Sequence, residues 1–182
     1  MSGDLVSGQW WSRTPDGRMQ LRLVPDEAAT ILGLIHEVRE VLDGPADDPI
    51  MLRLFPRAYL DPTEDAAEAT WRALAGPDLL RERLDRLDRL VVTLEPIALG
   101  DRTGPIVLDA EAESDWTAVL NDTRLTLGTA IGVSDDTDED DEPDDDDPQS
   151  PAWHLYHVLT YFQAELIDAL LGAMPEEGLD DF

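Results

Sequence analysis

Apolar and polar residues alternate near the start of the chain: Met19, Leu21 and Leu23 are interleaved with Arg18, Gln20 and Arg22. That period of two is the pattern of a strand with one buried face. Gln9 to Arg13 and Arg18 to Val24 flank Thr14-Pro15-Asp16-Gly17. In that turn Pro presets φ and Gly supplies a left-handed position, so a β-hairpin is predicted. The period then lengthens. Ala28, Ile31, Leu32, Ile35, Val38 and Leu42 recur at helical spacing behind Pro25-Asp26-Glu27, a favourable helix start, and Gly44 supplies a stop.

Asp48-Pro49 caps a short helix that ends near Leu54-Phe55-Pro56, because Pro56 cannot continue it. Asp61, Pro62 and Glu64 form a second start signature for a helix to about Ala75, ended by Gly76-Pro77. A separate helix from Asp78 carries Leu80, Leu84, Leu87, Val91 and Leu94 as a narrow stripe. The pairs Glu82 with Arg86 and Asp85 with Arg89 lie beside it. Gly104-Pro105 introduces Ile106-Val107-Leu108, a candidate third strand, which the hairpin needs because two strands alone are marginal. Ala112, Trp116, Val119, Leu120, Thr123, Leu127 and Ile131 trace one face of a helix over about 109–132. The last helix starts at Ser150-Pro151, carries Tyr156, Leu159, Phe162, Leu166, Ile167 and Leu170, and stops at Gly172. The expected fold is a single, mostly helical α+β domain over 1–182, with a small antiparallel sheet of two or three strands against about five helices.

Composition adds one large constraint. The 182 residues include 41 Asp and Glu against 13 basic residues, all of them Arg, for a net charge of −28. Direct nucleic-acid binding is not expected, since neutralising phosphates requires a basic face. With no Cys, disulfides, thiolate metal sites and cysteine nucleophiles are excluded. No apolar stretch approaches a membrane span and Met1 to Trp11 lacks a signal-peptide pattern, so the expectation is a cytoplasmic protein without membrane partners. Asp135 to Asp147 holds eleven acidic residues in thirteen. Residues 135–149 are therefore expected to be a disordered acidic loop, as like-charge blocks commonly are. The same run could steer a basic partner or imitate a phosphate backbone. It lacks the ligand alternation and Gly of an EF-hand loop.

Four groups of residues bear on function. His154 and His157, three apart on the last helix, could share a metal ion, yet the zincin Glu is missing and no third ligand is evident. His36 reads as a boundary residue of the first helix. Arg53 and Arg57 bracket Leu54-Phe55-Pro56, with Tyr59 following. These form either a partner-binding edge, or a plug of Phe55 and Tyr59 with the guanidinium groups paired to carboxylates. Asn121, Asp122 and Arg124 interrupt a good helix with residues of poor propensity, pointing either to a polar network between helices or to a ligand or partner contact. No nucleophile elbow or phosphate loop is present, and no cofactor is called for.

The order of these parts forms a larger pattern. A Trp-bearing hairpin precedes Leu54-Phe55-Pro56-Arg57-Ala58-Tyr59 with Asp61-Pro62. Trp116 precedes Asn121-Asp122-Thr123-Arg124-Leu125-Thr126-Leu127-Gly128, and Tyr156-His157-Val158-Leu159-Thr160 closes the series. This resembles an actinobacterial family of proteins of unknown function that includes the AosR oxidative-stress transcriptional regulators. The resemblance implies a cytoplasmic regulatory protein that acts on transcription through protein partners. Redox sensing in some members is attributed to a Cys pair; this chain has none, so thiol sensing is not carried over. The expectation is a non-enzymatic regulator working through protein–protein interaction, with a metal-dependent enzyme or metal-binding protein using His154 and His157 as the alternative.

Overall fold

The computed structural model describes residues 9–134, 137, 143 and 146–172. The predicted hairpin forms, with shorter strands than the alternation suggested: β1 is Trp11–Arg13 and β2 is Met19–Leu21. They pair antiparallel, with Trp11 opposite Leu21 and Arg13 opposite Met19. Gly17 takes φ 84° in the connecting turn, a conformation that favours glycine. β3, Ile106–Val107, adds to the other side of β2 with Leu21 opposite Ile106, giving the order β1-β2-β3.

Among the described residues five α-helices accompany the sheet. α1 spans Pro25–Leu42, α2 Pro49–Leu54, α3 Asp65–Ala98, α4 Ala110–Ala130 and α5 Ser150–Leu171, with a 3-10 turn at Pro62–Glu64 before α3. Starts are capped as their sequences indicate: Asp48, Asp61 and Asp109 accept the backbone N–H groups of Ile50, Thr63 and Ala112. Glu27 ties the start of α1 to the hairpin, accepting the Val24 N–H and the indole Nε1–H of Trp10. The fold is thus the expected mostly helical α+β arrangement with a three-stranded antiparallel sheet.

One boundary differs. Instead of two helices separated at Gly76-Pro77, α3 runs unbroken for 34 residues, about 50 Å at 1.5 Å per residue. An internal Pro removes one N–H···O bond and costs about 3 kcal/mol. Both internal prolines of α3 lose that bond where water can replace it. Ala73, four residues before Pro77, is exposed, and so is Val92, four residues before Pro96. Half-buried positions recur in pairs at 71–72, 75–76, 79–80 and 83–84, so one face continues across the predicted break. Partial burial of that continuous face offsets the cost of the proline and keeps the helix whole.

The core lies between the sheet, α1, and the facing sides of α3, α4 and α5. Trp11, Trp116 and Phe162 meet there, with Trp11 at 5.5 Å from Trp116 and 5.1 Å from Phe162 between ring centroids. The buried Trp11 indole donates to the Phe162 carbonyl at 3.0 Å, as an enclosed indole N–H must find an acceptor. The hairpin is thereby locked onto α5, which fixes the helices carrying the residues considered next.

Candidate functional site

α4 carries two unlike polar faces. On the side facing α3, Asp115 and Asp122 are both buried. Asp115 accepts a two-pronged hydrogen bond from Arg89, at 2.6 Å to Nε and 2.8 Å to Nη2, with Arg86 Nε at 3.7 Å. Asp122 lies 3.0 Å from Arg83 Nε. Burial pushes the Asp122 carboxyl above its ordinary value, while the charges of Arg83 and Arg86 oppose that shift. The paired Asp115 carboxylate raises the Arg89 guanidinium further above its ordinary range. Of the two intrahelical pairs expected on α3, Glu82 with Arg86 is made at 2.6 Å. Arg89 instead turns to α4, because the buried Asp115 offers it a desolvated, bidentate partner.

Arg83 also organises the segment after α2. It donates to the Leu54 carbonyl at 2.9 Å and lies 4.6 Å above the Phe55 ring. Arg72 donates to the Phe55 carbonyl at 3.1 Å. The buried Glu68 accepts the backbone N–H groups of Ala58 and Tyr59, each at 3.0 Å, and an ion pair from Arg72. The hydrogen bond from Tyr59 N–H, followed by those from Arg72 and Ala58, holds the Glu68 carboxyl below its ordinary value. Arg57 pairs with Asp65 at 2.7 Å and donates to the Tyr59 carbonyl. This loop is therefore pinned by three side chains of α3 that the sequence reading did not single out. Only the i,i+4 spacing of Glu68 and Arg72 signalled any of this.

Phe55 is half-buried beneath Arg83, consistent with a plug, whereas Tyr59 is on the surface. Beside it Leu60 is 84% exposed, and on α2 Leu52 is 50% exposed. Arg53 is exposed on α2.

Asn121, Asp122 and Arg124 do not act as one group. At about 3.6 residues per turn, positions two apart point to nearly opposite sides of a helix. Asp122 faces α3, Asn121 is half-buried, and Arg124 turns toward α5. Arg124, Leu125, Gly128 and Thr129 of α4 join Arg53 of α2, Tyr156 of α5 and the following Val133 and Ser134 around a cleft of about 200 Å³. An adjoining groove of about 430 Å³ continues along Pro49 and Leu52. The Arg124 Nη1 stands 3.4 Å from the Tyr156 hydroxyl, and its guanidinium carbon 6.0 Å from the ring centre.

His154 is exposed and His157 half-buried, its ring 6.2 Å from Trp153 and 5.9 Å from Tyr156. Among the described residues no group of three or more His, Asp or Glu is arranged to hold a metal ion, so the His pair gains no third ligand there. His36 lies on the exposed face of α1 rather than at its boundary with the core. Of the acidic run, 135, 136, 138–142, 144 and 145 fall outside the described residues, and with them the expectation of a disordered loop. Among those described, no helix is long and apolar enough to cross a membrane.

Fold and site together define a mostly helical α+β protein with an arginine-lined cleft between α2, α4 and α5. A model of the family described as domain of unknown function DUF2017 matches residues 8–170, and the chain belongs to that family. No curated protein and no solved structure matches it.

Proposed function

We propose that this chain is a non-enzymatic, cytoplasmic regulatory protein that acts on transcription by binding a protein partner through the loop between α2 and α3. The observation that carries the reading is the contrast within that loop. Its backbone is anchored by Glu68, Arg72 and Arg83, yet Leu60 and Tyr59 are presented to solvent. A loop held in place this way loses little conformational freedom on association. Tyr and Arg beside an exposed aliphatic residue are the side chains that dominate protein interfaces. An anionic surface disfavours contact with a nucleic-acid backbone but not with a basic protein face. The link to transcription and the cytoplasmic setting rest on the resemblance described above, to an actinobacterial family that includes the AosR regulators.

The test is affinity capture of transcription-machinery components by the full chain and by a Tyr59→Ala, Leu60→Asp variant, alongside transcription in vitro. The reading expects capture and the effect on transcription to fall at least about tenfold, the loss of roughly 1.4 kcal/mol expected of an interface hot spot. Thermal melting should stay within about 2 °C, since both side chains are exposed. Undiminished capture by the variant, or no effect of the wild-type chain on transcription, would overturn it.

A further inference from the structure

We propose that the cleft between α2, α4 and α5 binds the phosphate group of a small phosphorylated molecule, held by Arg53 and Arg124 with the Tyr156 hydroxyl as a further donor. This stands independently of the protein-partner reading.

The first argument is from charge. Acidic residues outnumber arginines 41 to 13 in this chain, so an arginine without a carboxylate partner is conspicuous. Among the described residues eight arginines make ion pairs. Of the other five, Arg13 donates to the carbonyls of Ala169 and Gly17. Arg22 and Arg102 are exposed and apart from the cleft. Arg53 and Arg124 line one cavity together. Converging two unpaired guanidinium groups is electrostatically unfavourable unless an anion joins them.

The second argument is from unmet hydrogen bonding. Arg124 Nε is fully enclosed and has no acceptor among the described residues. Arg83 Nε also lacks a well-formed hydrogen bond there, but it has the Asp122 carboxylate 3.0 Å away, whereas Arg124 has no such counter-charge among the described residues. Elsewhere on the Arg124 guanidinium, Nη1 donates to the Tyr156 hydroxyl at 3.4 Å, too distant for a strong bond. An enclosed, charged donor left unsatisfied is costly, and an oxyanion in the cleft would remove that cost. Gly128 contributes by its lack of a side chain. A Cβ there would sit 3.0 Å from Cε2 of Tyr156, so glycine lets the phenol ring close against α4 as the cleft wall.

Geometry and charge then select the ligand. A planar carboxylate is satisfied by one guanidinium fork, whereas donors from two arginines and a phenol, reaching in from three helices, suit a tetrahedral group. The adjoining groove of about 430 Å³, walled by Pro49 and Leu52, has room for the organic body. A polyanion such as nucleic acid would meet the field of a chain of net charge −28 along its length. A compact phosphate inside the cleft lies within a few ångströms of both arginines, while charges beyond about 8 Å are largely screened at physiological salt.

The test is calorimetric titration of the full chain at about 0.15 M salt, where that screening holds. The probes are ribose 5-phosphate, inorganic phosphate and acetate. Saturable binding of ribose 5-phosphate, at least about tenfold tighter than inorganic phosphate, is expected, since one decade is the modest gain that the groove's extra contacts need supply. Acetate should not bind. Arg124→Gln and Arg53→Gln should each weaken binding at least about tenfold, the value of a lost charge-assisted hydrogen bond. Gly128→Ala should weaken it by displacing Tyr156. The same titration is run on a chain in which the acids of 135–147 are replaced by their amides, which lowers the net negative charge that repels any anion. Binding to that chain alone would also support the site. Absence of binding by both chains, or binding unaffected by Arg124→Gln in a folded variant, would overturn the proposal, and equal affinity for the ester and inorganic phosphate would overturn the assignment to a phosphorylated molecule.

Discussion

The two faces of α4 place arginine in opposite circumstances. Toward α3, Arg83, Arg86 and Arg89 meet Asp122 and Asp115, and every guanidinium has a carboxylate within 4 Å. Toward α5, Arg124 has a phenol at 3.4 Å and an enclosed Nε without an acceptor among the described residues. Arginine is thus structural where α3 meets α4 and available where α4 meets α5. In so acidic a chain the unmatched arginine is the more informative one, since carboxylates are abundant and none among the described residues pairs with it.

The largest effect should come from the matched face. Asp115→Ala leaves Arg89 and Arg86 beside a buried gap. Removing one member of a buried pair costs about 3–5 kcal/mol, but the Arg89 side chain is 43% exposed and can regain water. We therefore expect a loss of about 2 kcal/mol, or roughly 4–8 °C in melting temperature. A melting temperature unchanged by this substitution would show that the seam between α3 and α4 does not depend on its ion pairs.

The matched face was partly legible in the sequence and its geometry was not. The poor helix propensity of Asp122 coincides with an ion pair to Arg83 of α3, a tertiary contact that overrides local preference. Helical spacing predicted the buried faces of α1 and α4, and Asp-Pro signatures located α2 and the start before α3. Gly76-Pro77 misled, because whether an internal proline breaks a helix depends on exposure of the carbonyl it orphans and on packing of the opposite face. Neither is a property of the dipeptide. The partners of Asp115 and Asp122 lie 26 and 39 positions away on α3, beyond any local spacing rule. The cleft was less legible still: Arg53, Arg124 and Tyr156 were each named, but only the packing of three helices brings them to one cavity.

pH separates two carboxylates anchored by α3 arginines, with opposite signs. Glu68 is held below its ordinary value of 4.5 by hydrogen bonds from Tyr59, Arg72 and Ala58. Its contribution is fully present above about pH 4.5 and is lost as pH falls through the lower folded value. The melting-temperature advantage of wild type over Glu68→Gln should therefore shrink on acidification. Asp122 is raised above 3.8 by burial, so the folded state holds its proton more tightly than the unfolded chain. Its contribution is lost as pH rises through the folded value. The advantage of wild type over Asp122→Asn should shrink in the alkaline direction, from about pH 3.8 upward. Melting curves of the three proteins between about pH 3 and 7 span both windows. Parallel pH dependences for the two variants would mean that Asp122 is governed by Arg83 and Arg86 rather than by burial.

The smallest effect should come from the unmatched face, and its smallness is the sharpest part of the comparison. Arg124→Gln removes the guanidinium whose Nε is enclosed without an acceptor, and breaks no ion pair among the described residues. What is lost is a 3.4 Å contact with Tyr156 and part of an aliphatic stem; what is relieved is an unsatisfied donor. Gln retains good helix propensity, so stability should change by no more than about 0.5 kcal/mol. Melting temperature beside that of Asp115→Ala measures the two faces on one scale. A loss as large as at Asp115 would mean that Arg124 holds α4 to α5 as a structural residue. Near-neutrality would leave recognition as the reason for enclosing a charged donor whose Nε has no acceptor among the described residues.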